Sequence, residues 1–191
     1  FQKQVDKVKT HPVAFLSGAL VVVAVCALLS LYTIGTTAAY DGNDLGTVSG
    51  IRTVNAVVDD LENITRETLG DESYTVDMDK LDTQVGVVRR QSVESREEFT
   101  DNLSDELGMV EYAYALYIDG EPVAATTFPG ALDELLDQLK KGYITANTVD
   151  SYFVENVEIK QEYVDASLVM NLGNIAEILN ATKAGEVTYT V

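Results

Sequence analysis

The stretch Ala113-Tyr114-Ala115-Leu116-Tyr117-Ile118-Asp119-Gly120-Glu121-Pro122-Val123-Ala124 predicts two antiparallel strands joined by a tight turn. The residues before the turn are rich in aromatic and β-favouring types. Asp119-Gly120 is a strong hairpin-turn signal, because glycine adopts positive φ angles without steric cost. Pro122 stands at the start of the return strand, where a missing backbone N–H does least harm.

A helix is predicted directly after this hairpin, over residues 130–141. Its apolar residues recur at intervals of three and four and form one stripe, Leu132, Leu135, Leu136 and Leu139. Acidic residues lie in its early and middle turns and two lysines close it, an order that suits the helix dipole. Beyond it, the pattern predicts a long strand or hairpin over 152–164, a short helix over 172–180 and a last strand over 187–191.

The same pattern occurs twice in the chain, at an offset of 78 residues. The turn block Asp41–Gly46 corresponds to Asp119–Ala124. The helix stripe has an earlier counterpart at the same offset, Val54, Val57, Val58 and Leu61. A third block, Ser73–Asp77, corresponds to Ser151–Glu155. Three separate blocks at one offset imply two copies of one supersecondary unit.

The predicted fold class is therefore α+β, with two tandem β-β-α-β-α repeats at residues 35–108 and 109–191. In the first copy we expect two strands around the Asp41-Gly42 turn and a helix over 53–65. Strands around 74–88 and a helix over 95–107 follow. The two copies are compatible with two small domains or with one pseudo-symmetric domain.

Residues 12–34, ahead of the repeats, predict a transmembrane helix. The chain carries no charged residue from Pro12 to Tyr40. An apolar helix of this length matches a hydrocarbon layer of roughly 30 Å. A cleaved signal peptide is the alternative, because Thr37-Ala38-Ala39 resembles a small-residue cleavage site, but the apolar run is longer than a usual signal core.

The charges around this apolar run predict its orientation. Residues 1–11 carry three lysines, and acidic residues dominate after the run. The positive-inside rule therefore places the tail 1–11 in the cytoplasm and the repeats outside the cell, with the lipid bilayer as partner of the helix. Because the chain begins at Phe1, we also expect further sequence before it.

The overall composition limits the classes of partner. The formal net charge is −18, and such a surface repels phosphate backbones, so nucleic acid is not expected as a partner. The hydrophobic content of 46% is enough for a packed core. The one cysteine, Cys26, leaves no possibility of an intrachain disulfide.

The sequence predicts no catalytic, cofactor-binding or metal-ligating residue. His11 and Cys26 are the sole residues of their types, so the common zinc sites and the Ser–His and Cys–His nucleophile systems lack their members. Carboxylates are abundant but spread along helix faces, which is typical of a solvated surface rather than of a glycosidase pair. Asp41-Gly42-Asn43-Asp44 lacks the spacing of a calcium loop, and a turn is the favoured interpretation.

Two segments carry a resemblance to a known family. Tyr114–Ala124 and Phe153-Val154-Glu155-Asn156-Val157-Glu158-Ile159 resemble the membrane-proximal region of LysM-containing, lysostaphin-like peptidoglycan hydrolases of the Clostridia. The last residues, Glu186–Val191, resemble the entry to a LysM module. The resemblance implies a zinc endopeptidase domain beyond Val191, and no position of this sequence matches the catalytic or zinc-binding motif of that domain.

The resulting hypothesis is a membrane anchor followed by an extracellular, non-catalytic spacer or interaction region of a peptidoglycan hydrolase. Peptidoglycan or envelope proteins are the expected partners, and whether the whole protein is an enzyme depends on sequence beyond Val191. Two alternatives remain open. One is an oligomerising or partner-binding ectodomain of an envelope assembly, and the other is a sensor ectodomain.

Overall fold

The computed structural model describes residues 12–146, 148 and 150–181, with side chains from residue 20 onward. The predicted cytoplasmic tail 1–11 and the predicted strand 187–191 lie outside the described residues. In chain order, the described part contains these helices and strands: α1 Pro12–Leu31, β1 Tyr32–Tyr40, β2 Asn43–Val48, α2 Ile51–Leu69, β3 Leu81–Arg89, α3 Arg96–Leu107, β4 Val110–Ile118, β5 Glu121–Thr126, α4 Ala131–Lys141, β6 Val157–Asp165 and α5 Leu172–Ala181.

Helix α1 ends at Leu31 because the chain passes directly into strand β1, so residues 32–34 are strand and not helix. Its described side chains, from Leu20 to Leu31, are exposed. Within the described residues, no helix combines the length and the apolarity that a membrane span requires.

This finding contradicts two linked predictions. The predicted fold class was wrong in including a transmembrane helix over 12–34. The single-pass arrangement, with a cytoplasmic N-terminus and the repeats outside the cell, was inferred from that helix and is withdrawn with it. The lipid bilayer as a partner of this segment is not tested by the structure and stays a prediction.

The α+β architecture and its duplication are confirmed for the described residues. Each copy forms a three-stranded antiparallel sheet with its first strand in the centre, in the order β2-β1-β3 and β5-β4-β6. The hairpin turns have matching left-handed angles, with φ of 49° and 87° at Asp41 and Gly42, and 53° and 88° at Asp119 and Gly120. Each hairpin also carries a register shift after the second residue pair from its tip, between Ala38 and Ala39 and between Leu116 and Tyr117.

The offset between the copies changes from 78 to 76 residues before the third strand. The helix α2 is longer than its predicted span of 53–65, and the blocks around Tyr74 and Tyr152 are loop rather than strand. The third strands begin later, at Leu81 and Val157. Tyr152 is 79% exposed, so its side chain is not part of a hydrophobic core. Its aromatic character nevertheless favoured the prediction of a strand.

Loop hydrogen bonds of the first copy recur in the second. Their hairpin residues are 78 positions apart, and their residues next to the third strand are 76 positions apart. The Asp41 N–H donates to the Lys80 carbonyl, and the Asp119 N–H donates to the Asn156 carbonyl, both at 2.9 Å. After the third strand, the Glu94 N–H donates to the Thr47 carbonyl at 2.8 Å, and the Met170 N–H donates to the Ala125 carbonyl at 3.0 Å.

The final helix of each copy begins at a capping side chain. The Ser95 hydroxyl accepts from the Glu98 N–H, and the Asn171 side chain accepts from the Asn174 N–H.

The described part of the chain divides into two compact units, one within residues 12–59 and 77–102 and the other within residues 60–76 and 103–181. The predicted domain boundaries at 35–108 and 109–191 follow the repeats and stay a prediction. In the first unit, the fully buried side chains include Val54 and Val57 of α2 and Phe99 of α3.

The second unit has a core on each face of its sheet. Leu116, Ala124, Leu132 and Ile175 are buried together, with the remaining leucines of the α4 stripe packed around them. Because side chains alternate along a strand, the opposite face carries a second cluster, formed by Ala113, Ala115, Ala125 and Val164.

We expect Ile175→Ala to lower the free energy of unfolding by about 3 kcal/mol, because it leaves a cavity at a fully buried position. Urea unfolding followed by circular dichroism measures the change. Leu172→Ala is the matched control in the same helix, at a position that is 37% exposed, and its expected cost is about 1 kcal/mol or less. Equal losses in the two variants would contradict this description of the core.

Candidate interaction surface

The outer edge of β3 is the most distinctive surface of the first unit. β3 pairs along its whole length with β1, from Leu81 against Tyr40 to Arg89 against Tyr32. It is the last strand of its sheet, and no described strand pairs with its other side. In an antiparallel ladder, alternate residues direct their N–H and C=O groups away from the paired neighbour. The outer side of β3 therefore presents a row of unpaired backbone donors and acceptors.

Exposed apolar side chains adjoin this edge. Val87 lies opposite Ile34 and Val85 lies opposite Thr36 in the β1–β3 ladder. Ile34, Val85 and Val87 are 67%, 64% and 74% exposed. Alternation along the strands places all three on one face of the sheet. Together with the strand edge they form what we call the β3 surface, namely the backbone of Leu81–Arg89 and the side chains of Ile34, Val85 and Val87.

The equivalent edge strand of the second unit, β6, differs in its charge. At the 76-residue offset, Asp82, Gln84 and Gly86 of β3 correspond to Glu158, Lys160 and Glu162 of β6. Charged side chains along an edge strand oppose pairing with another strand, because pairing would bury or juxtapose their charges. The charged side chains in the middle of β6 therefore protect that edge against pairing with another strand. β3 carries charge only near its two ends.

The charged side chains of β6 also hold a tyrosine on β4. The Tyr117 hydroxyl donates to Glu162 Oε1 at 2.6 Å, and Lys160 Nζ lies 4.2 Å from the centre of the Tyr117 ring. Lys160 is also 3.5 Å from Glu158 Oε2. The hydrogen bond to the Glu162 carboxylate, assisted by partial burial, raises the pKa of Tyr117 to about 12. These contacts hold the Glu158, Lys160 and Glu162 side chains in place along β6.

A group of acidic side chains lies beside the β1–β2 hairpin. Gly46, at φ 97°, leaves room for the Glu94 carboxylate, which would collide with any β-carbon there. Asn102 Nδ2 donates to the Leu45 carbonyl at 3.2 Å and reaches Glu94 Oε2 at 3.5 Å. Desolvation raises the pKa of Glu94, and the neighbouring charges of Glu98 and Asp44 raise it further.

No group of three or more His, Cys, Asp or Glu side chains suited to a metal ion occurs among the described residues. Asp41 and Gly42, considered above as a possible calcium loop, form the tip of the hairpin, and Asp41 pairs with Lys80 at 3.3 Å. Sequence analysis predicted no site residue and did not identify the β3 surface. The available signal was the uncharged run Thr83–Val88 between charged ends, which contrasts with the repeat partner in β6.

We expect Glu162→Gln to lower the pKa of Tyr117 from about 12 towards its usual value of 10.0. The variant replaces the carboxylate that accepts the Tyr117 hydrogen bond with a neutral amide, and it also removes the charge that opposes the phenolate. The folded value is raised, so this contribution to stability is complete below the usual tyrosine pKa and is lost as the pH rises through about 12. The difference in phenolate absorbance between each protein and its Tyr117→Phe derivative isolates this group. Glu121→Gln, at an exposed position on β5, is the control and should leave the Tyr117 titration unchanged.

We expect Glu94→Gln to raise the melting temperature at neutral pH. Because the folded-state pKa of Glu94 is raised, its ionisation costs stability as the pH rises above the usual glutamate range. The gain from the glutamine should therefore disappear at a pH below the usual glutamate pKa, where Glu94 is already protonated. Thermal melts at several pH values test this, with the exposed Glu97→Gln as control. A gain that persists at acid pH would contradict the electrostatic explanation.

Comparisons with known proteins identify no relative for this chain. No family model matches it, and no curated protein or solved structure is significantly similar to it.

Proposed function

We propose that this chain is a non-catalytic spacer and interaction region of a peptidoglycan hydrolase, with peptidoglycan or cell-envelope proteins as its partners. The observation that carries the proposal is the duplication. Both copies share strand order, turn angles, the position of the register shift and the loop hydrogen bonds. Tandem copies of one small unit suit a spacing role, because repetition extends a chain without a new fold.

The resemblance noted in the sequence supports the choice of a wall hydrolase. Tyr114–Ala124 forms the β4–β5 hairpin, and Phe153–Ile159 leads into the third strand β6. The two resembling segments thus lie on adjacent parts of one unit rather than on unrelated surfaces. In the family that they resemble, hydrolysis belongs to a separate zinc endopeptidase domain, so the role proposed here is to position and not to cut.

The charge of the chain is compatible with this role. With a net charge of −18, the protein repels other polyanions and stays dissolved as a spacer must. The hydrophobic clusters of the second unit combine residues of its three strands with residues of α4 and α5. No acidic side chain is among the buried residues of the described part of the chain. A region of this kind needs stable cores and a hydrated exterior rather than a reactive pocket.

The reading frame beyond codon 191 is the most direct test. We expect it to continue from Tyr189-Thr190-Val191 through Gly-Asp-Thr into a LysM module, and then into a domain with His and Asp zinc ligands. A stop codon immediately after Val191 would refute the hydrolase part of the proposal.

A biochemical assay tests the non-catalytic part separately. The purified chain, incubated with peptidoglycan sacculi, should release no soluble fragments above the level of a buffer blank. A commercial wall hydrolase serves as positive control. Release of fragments that survives repurification of the chain would overturn the assignment.

A further inference from the structure

We propose that the β3 surface pairs with the β3 surface of a second copy of this chain, so that two three-stranded sheets join into one antiparallel six-stranded sheet. The inference stands apart from the cell-wall role, since it rests on the strand edge alone. A symmetric pair of this kind is closed, because the same surface is used by both partners.

The backbone of β3 makes this pairing possible. The strand is regular over Leu81–Arg89, and every residue of this range has a register partner in β1. A second strand can therefore continue the ladder without a bulge or a break. Its side chains from Asp82 to Val87 are exposed, so nothing in the described part of the chain has to move aside.

The charges of β3 select an antiparallel second copy. The beginning of the segment is acidic, with Asp79 and Asp82, and Lys80 at this end is already paired with Asp41 at 3.3 Å. The end of the segment is basic, with Arg89 and Arg90. Antiparallel self-pairing brings each acidic beginning next to the basic end of its partner, whereas parallel pairing would align like charges.

One register satisfies both the charges and the apolar side chains. When Gly86 lies opposite the partner's Gly86, Thr83 lies opposite the partner's Arg89. Asp82 then comes level with the partner's Arg90, which follows the end of β3 and also donates to the Ser30 carbonyl at 3.3 Å. In the same register, Val85 lies opposite the partner's Val87 on the face that also carries Ile34. Directly opposed aliphatic pairs are favourable contacts between strands, and the joined surface covers side chains that are now 64% and 74% exposed.

The second unit shows what prevents the same pairing at β6. The position equivalent to Gly86 is Glu162. The corresponding register would place Glu162 opposite the partner's Glu162, and like charges directly opposite each other destabilise a strand pair. Glu162 is moreover held by Tyr117 at 2.6 Å. The two edges of one duplicated fold thus differ in a way that permits self-pairing at β3 alone.

Disulfide trapping in the full chain tests the proposal. In a Cys26→Ala background, Gly86→Cys introduces a thiol where an added β-carbon meets no atom within 4 Å. Opposed residues in antiparallel strands have Cα atoms about 4.5–5.5 Å apart, within the range that a disulfide spans. The controls are Gln161→Cys on the β6 edge and Met78→Cys, which lies before β3 in the same unit.

We expect mild oxidation to give at least about tenfold more covalent dimer from Gly86→Cys than from either control. Adding Val85→Lys and Val87→Lys should abolish the Gly86→Cys dimer, because this register places each lysine opposite a lysine of the partner. Both valines are exposed, so the monomer should retain its circular dichroism spectrum and melting temperature. Equal trapping at positions 78, 86 and 161, no trapping at position 86, or a dimer that survives the two lysines would each overturn the proposal.

Discussion

The antiparallel ladder between the first and third strands of each copy is the constraint on which the rest of the structure depends. β1 pairs with β3, and β4 with β6, over the full length of all four strands. Each ladder joins strands that are distant in the sequence, and the intervening helix must close over one face of the sheet. Backbone hydrogen bonds of the residues on either side of each third strand then tie that strand to the hairpin turn and to the return strand.

The duplicated pattern explains why most of this architecture could be predicted from the sequence. The Asp-Gly turns, the leucine stripe of α4 and the offset of 78 residues are local signals, and the structure places each of them as expected for a hairpin, an amphipathic helix and a repeat. The third strands were misplaced by several residues, because exposed aromatic residues such as Tyr152 have the composition of a strand without its burial. The apolar run at the N-terminus was interpreted from composition alone, which does not show that the chain enters a strand at Tyr32.

The interaction surface was harder to predict than the fold. An edge strand is defined by the neighbour that it lacks, and that property depends on the strand order of the sheet rather than on the residues of the strand. Thr83–Val88 would suit a central strand equally well. The difference becomes visible when β3 and β6 are compared position by position at the offset of 76 residues. The middle of β6 carries charged side chains, and the middle of β3 carries none.

The direct junction between α1 and β1 has a mechanical consequence. Leu31 ends the helix and Tyr32 begins the central strand without an intervening loop, and Arg90, just after β3, donates to the Ser30 carbonyl at 3.3 Å. A force applied at Tyr32 along the direction of β1 would therefore act on a strand held on both sides. The hydrogen bonds to β2 and β3 would bear that load together in shear, instead of opening one after another as they do when an edge strand is peeled away. The first unit would thus resist tension along β1 at the point where the helix enters the sheet.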